Sequence, residues 1–254
     1  MTGALIGLGW QTAAAVVVLA VIAAVAARLG STGTATMSLW AAARAVVQLA
    51  AVAAVIVFVI GHWWATAAFV LVMVGAATYT AGRRMTRGRA GLLAGLSIGA
   101  GTAPVLAVVL MTGAVPFTAV AVVPVAGIVI GGAMTATSLA GRRALAQLVD
   151  RHGEYEAALA LGFLPRDGAL LVIRGAAHDA LVPALDQTRT VGLVTLPGAF
   201  VGVLLGSGDP VQAAAAQILV LVGLLAAETI ASLVTVELVA RQLLTGDRSC
   251  ADQR

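Results

Sequence analysis

The sequence contains no lysine; all fifteen of its basic residues are arginine. A nucleotide-cradling loop of the form GxxxxGK[ST] sets a lysine on the β- and γ-phosphates, so if ATP drives this chain it is hydrolysed on another polypeptide. A single cysteine, Cys250, excludes an internal disulfide and a thiolate cluster. Charge is scarce, 10% of residues, against about 25% in soluble domains. With 61% hydrophobic residues and a mean hydropathy of +1.03, the chain cannot cover itself with a water-soluble surface. No His, Cys or carboxylate cluster lies inside an apolar run, so the residues define no metal-ligand set, and no cofactor signature is present.

What is there is a series of apolar runs, at about 5–27, 39–60, 63–82, 92–112, 118–139, 189–206 and 213–240, each near the ~20 residues a crossing requires. The first lacks a basic stretch ahead of it and is too long for a signal core, so it is expected to stay as a helix. The connections alternate. Arg28, then Arg83, Arg84, Arg87 and Arg89, then the six arginines from Arg142 to Arg189, and finally Arg241, Arg248 and Arg254 mark every second one, and the others carry none. Arginine-bearing loops stay in the cytoplasm. The expectation is an all-α, polytopic membrane protein of seven transmembrane helices, with the N-terminus outside and the C-terminus cytoplasmic. It would be one membrane domain over 1–254. The net charge of +4 then reports orientation in the bilayer rather than nucleic acid. Aromatics amount to only 4%, with His62, Trp63, Trp64 and Phe117 suiting a headgroup belt on the outer side.

Glycines recur at four-residue spacing, Gly91-Gly95-Gly99, Gly127-Gly131 and Gly198-Gly202-Gly206. Such rows let helices approach closely, within one chain or between two copies. The one sizeable polar stretch, 141–188, is expected in the cytoplasm. Its centre, Glu154-Tyr-Glu156-Ala157-Ala158-Leu-Ala-Leu-Gly162, has helical propensity and stops at Gly162, with Pro165 beyond. Residues 156–162 match EAAxxxG, the signature by which ABC-importer permeases present a coupling helix to an ATPase. Glu154, Glu156, Ala157, Ala158 and Gly162 are therefore the candidate coupling residues. The longer importer pattern is not continued, since Arg174 and Gly175 stand where Leu-Pro would follow.

Polar residues inside a span are costly and point to function, with snorkelling to the interface as the alternative. Arg44 and Gln48 lie one turn apart in the second span, and Gln217 and Glu228 lie in the seventh. Arg44 and Glu228 sit on spans of opposite direction, which allows an ion pair in the inner half of the bilayer, a gate, or a cation site at Glu228. Pro124 with Gly127, and Pro197 with Gly198, interrupt or kink the fifth and sixth spans, as broken spans around a transported solute do. These eight residues are the candidates for a translocation path or its gate.

Several longer strings resemble one family: Arg44-Ala-Val-Val-Gln48-Leu49, Pro124-Val-Ala-Gly127 through Met134, Leu159-Ala-Leu161-Gly162, Ile173-Arg174 through Pro183, Thr190 through Pro197-Gly198, and Asp209-Pro210 followed by Gln217-Ile218. These resemble the FetB/YbbM-like permeases, related to the plant STAR aluminium-tolerance permeases. Two positions depart from that pattern: Gly132 stands where Asn is usual, and Glu228 is not a family position. The resemblance implies the membrane subunit of an ABC transporter exporting iron or another metal or small solute, paired with a FetA-like ATPase. A homodimer is expected, because seven helices are few for a two-sided pathway. Two other functions fit the residues: an ion-coupled secondary transporter using Glu228 as relay, and a non-transporting membrane scaffold that tethers an ATPase.

Overall fold

The computed structural model describes residues 9–86 and 88–244. Arg87, Arg248, Arg254, Cys250 and the beginning of the first apolar run lie outside the described residues.

Among the described residues ten α-helices follow in order: α1 (Trp10–Leu29), α2 (Ala35–Gly61), α3 (Trp63–Met85), α4 (Ala94–Met111, led in by a 3-10 turn at Arg89–Leu93), α5 (Ala119–Asp150), α6 (His152–Ala160), α7 (Pro165–Ile173), α8 (Gly175–Thr190), α9 (Gly198–Ser207) and α10 (Pro210–Ala240). Seven helical stretches among the described residues are long and apolar enough to cross a membrane. The chain is a multi-pass membrane protein built of helices. A bilayer interior leaves no other open solution, because every backbone N–H and C=O must be satisfied within its own segment.

The chain divides into two units, 1–61 and 62–254. In the first, α1 and α2 pack on each other around a tight turn in which Ser31 and Gly33 take left-handed conformations. Val17, Leu19, Ile22, Val46, Val47 and Leu49 are exposed, an apolar surface suited to lipid or to another protein.

In the second unit α10 lies along α5 and α4, and α3 packs on α5. The α5 stripe Ala119, Val123, Ala126, Ile130, Ala133, Thr137, Ala140 and Ala144 is buried, spaced by the three or four residues that keep one helical face inward. Most of it is alanine, so the backbones come close. Gly82 and Gly91 meet backbone to backbone, and Gly101 lies on the Ala227 carbonyl; a methyl group would collide at either place. Several buried hydroxyls are satisfied inside their own helices, as by Thr102 donating to the Ile98 carbonyl (2.8 Å) and Thr235 to that of Ala231 (2.7 Å), whereas those of Ser97 and Thr137 have no partner among the described residues. At the arginine-rich end, α5 and α10 clamp α7 and α8 through Ala140, Ala144, Val172, Ile173, Ala176, Ala180 and Val239.

The sixth crossing differs from the sequence expectation. Instead of one span over 189–206, α8 ends at Thr190, residues 191–197 form no helix, and α9 starts at Gly198. The unwound stretch meets its own hydrogen-bonding needs in part: Gly192 N–H donates to the Thr195 carbonyl (2.9 Å) and Val194 N–H to that of Thr190 (2.9 Å), with Gly192 at φ +82. Ten residues of α9 rise about 15 Å, half of the ~30 Å hydrocarbon layer. The stretch that qualifies by length and hydropathy is Pro165–Thr190, which the sequence had assigned to the aqueous loop. The reason is the inward face of α8, where Ala176, Ala177, Ala180 and Ala184 are buried although the opposite face carries Asp179, Asp186 and Arg189. Pro124 does not interrupt the fifth span either. It is the sixth residue of a continuous α5, where it forfeits one backbone bond near the helix start.

Candidate functional site

Two places in the second unit carry chemistry. The first is a projecting tip. α5 outruns the bilayer, since 32 residues rise about 48 Å, and after Arg151 the chain reverses into α6. Gly162 ends α6 at φ +91 and Pro165 opens α7 as its first residue, the stop and start expected of those residue types. Ala158 is buried against Gly168 of α7, which also lies beside the Tyr155 ring. Arg151 ties the joint, donating from Nε to Glu154 (2.8 Å), from Nη2 to its other carboxylate oxygen, and from Nη1 to the Val172 carbonyl (3.0 Å). Those hydrogen bonds hold the Glu154 carboxyl below the usual glutamate range. Glu156 pairs with His152 at 3.3 Å. Beyond this braced helix Leu161, Phe163 and Leu164 are exposed. The arrangement is a rigid knob with an acidic flank and an apolar tip, supported from below by the Arg166–Glu237–Arg241 ion pairs.

The second place is a cavity of about 260 Å³ between α5, α8 and α10, lined among others by Gly131, Gly132, Thr135, Pro183, Gln187 and Glu228. Glu228 is 9% exposed and has no hydrogen bond or ion pair among the described residues. Gly132 makes its position available, since a Cβ there would strike both the Glu228 carboxylate and Leu224. Thr135 spends its proton on the Gly131 carbonyl (3.0 Å), which leaves oxygen lone pairs at the wall. Pro183 lies inside α8 and removes one N–H from that helix.

The sequence candidates fall into separate places. Glu154, Glu156, Ala157, Ala158 and Gly162 come together on and after α6. Gln217 is 5% exposed and accepts the Phe200 N–H at 3.1 Å, so it satisfies one of the otherwise unpaired amides at the start of α9. Pro197 caps that helix and Gly198 opens it. Gly127 is packed by Met73 of α3. Arg44 and Gln48 are exposed on α2 in the first unit, which contains no acidic residue at all. Of the glycine rows, Gly91 and Gly95 are filled from α3, whereas Gly198, Gly202 and Gly206 meet nothing within 4 Å. Thr135, Gly132 and Gln187 escaped sequence reasoning as lining residues. The signal for α8 was its alanine spacing, which marks a buried face inside a polar stretch.

Comparison with known proteins gives 37% identity over 186 residues to the UPF0014 membrane protein STAR2 of Oryza sativa subsp. japonica, covering 72% of this chain and 64% of that protein. Protein ALUMINUM SENSITIVE 3 of Arabidopsis thaliana is 37% identical over 173 residues, 67% of this chain and 62% of the relative. The probable iron export permease protein FetB of Escherichia coli strain K12 is 32% identical over 147 residues, 58% of this chain and 56% of its own. The chain thus spans 56% to 64% of the length of these curated relatives. No solved structure matches it. The model of the uncharacterised protein family UPF0014 matches residues 10–244, and the chain belongs to that family.

Proposed function

We propose that the chain is the membrane subunit of an ATP-driven permease, working as a homodimer with a separate ATPase that grips α6. The observation that carries this reading is the braced knob. A helix matching EAAxxxG is held by Ala158 on Gly168 and by the Arg151–Glu154 pair, and it offers Glu156, Ala157, Leu161 and Phe163 outward. That is what a docking element needs: a rigid base, an exposed apolar anchor and a polar rim. The arginine-rich end faces the cytoplasm in this reading, where ATP is. ATP binding would draw two knobs together, and the helices clamped on α7 would follow.

The cargo is iron or another metal or small solute, a proposal drawn from the resemblance to the probable iron export permease of Escherichia coli. Exposed glycines on α9 and the apolar surfaces of α1 and α2 suit contact with a second copy.

Co-purification with a candidate ATPase, then ATP-dependent metal flux in proteoliposomes, tests the proposal. Stable association lost in Leu161→Ser with Phe163→Ser, at unchanged thermal stability, is the expected result. Association that survives this double substitution would overturn it. Glu228 in its cavity favours a second reading, an ion-coupled carrier. Flux persisting on a proton gradient with the ATPase absent would select that instead.

A further inference from the structure

Glu228 is the one carboxylate lining the cavity between α5, α8 and α10. A buried, ionised carboxylate without a partner is costly, and here none is supplied by the described residues. Gly132 keeps the carboxyl against the α5 backbone instead of letting it be displaced. The other polar groups at the wall, Gln187 and Thr135, offer oxygen, with no imidazole or thiol among the lining residues.

We propose that this cavity is a transient site for one hard divalent cation that keeps part of its water shell, held by Glu228 and oriented by Gln187 and Thr135. Small hard cations bind through one or two carboxylates and retain several waters. Among the described residues no group of three or more His, Cys, Asp or Glu is placed to hold a metal, so a tight, closed cage is not built. A single carboxylate gives weak, reversible capture, which a conducted ion requires in order to leave again. The site rests on the permease reading and names its cargo class.

The test uses the purified full chain in nanodiscs with Mn2+ as probe, bound ion being counted by electron paramagnetic resonance. One saturable Mn2+ per chain is expected, weakened about tenfold or more in Glu228→Gln and by a smaller factor in Gln187→Leu. Asp150→Asn, at an exposed carboxylate outside the cavity, leaves binding unchanged. Gly132→Ala, which retains the carboxylate but forces it aside, also weakens binding and serves if Glu228→Gln fails to fold. The proposal is overturned if wild type binds no Mn2+, if Glu228→Gln binds as well as wild type, or if equimolar Na+ displaces the ion. Recovery of folding by Arg44→Glu together with Glu228→Arg overturns it too, since arginine is then the counter-ion. ATPase association is read on the same preparations: its loss with Mn2+ binding intact refutes the ATPase reading alone, and the converse refutes the cation site alone.

Discussion

At the scale of single residues, the tightest steric condition at the candidate site is the missing Cβ of Gly132. Gly132→Ala drives a methyl group against the far ends of the Leu224 and Glu228 side chains, which can turn aside, so the cost lies at or below the lower end of the range for overpacking, about 1–3 kcal/mol. Thermal unfolding in detergent should show the loss, and Leu224→Ala in the same chain should recover part of it, because the two substitutions share one volume. Full additivity of the two effects would mean that the close approach is not there. A second residue-level expectation concerns Glu154, whose carboxyl is held low by hydrogen bonds from Arg151. A depressed carboxyl stabilises the fold above its unfolded titration range, around pH 4.3, and that support vanishes as pH falls through the lower folded value. The protection factors of the α6 amides, which divide out the intrinsic pH dependence of exchange, should therefore be flat between about pH 6 and 8 and fall only in acid, below about pH 4. A fall near neutrality would contradict the pair.

At the scale of elements, the sixth crossing is the informative one. The Phe200 amide of α9 has its acceptor in the Gln217 side chain of α10 (3.1 Å). Gln217→Leu leaves that N–H unpaired in a medium without water, a cost of about 1–3 kcal/mol. Hydrogen exchange at residues 198–202 should quicken severalfold while α10 stays protected. Unchanged exchange there would show that the bond does not hold the break. The existence of this break was only half visible in the sequence. Hydropathy rates 191–197 as apolar whether it is helical or extended, so a run over 189–206 resembles a span, and Pro197 was the only local sign against it. α6, by contrast, was legible to within two residues, because its stop is written in local chemistry, Gly162 in the left-handed region and then Pro165. The cavity was not legible beyond Glu228. Gly132 and Thr135 lie on α5, Gln187 on α8 and Glu228 on α10, and nothing in the spacing along one helix states which neighbour it will face.

At the scale of the molecule, the alternation of arginine-bearing and arginine-free connections predicts sidedness. In a Cys250→Ser background, Glu156→Cys should resist an impermeant maleimide added to intact cells and react after permeabilisation. Thr112→Cys, in an arginine-free connection, should react at once. The reverse pattern would invert the orientation and remove the knob from the compartment that holds ATP. The helical membrane class was plain from the scarcity of charge together with apolar runs of about 20 residues, the length that crosses as a helix. The grouping of helices into two units was not, since it depends on which alanine and glycine faces find each other.

The unbroken α5 joins the two candidate places in one rod. Gly132 at the cavity and Asp150 beside the knob belong to the same helix, eighteen residues or about 27 Å apart. Pivoting that rod by about 5° displaces one end by about 2 Å relative to the other, enough to widen or pinch the wall against Glu228. A pull on the knob would thus be delivered as a lever stroke, with the fulcrum at the alanine seam between α5 and α10.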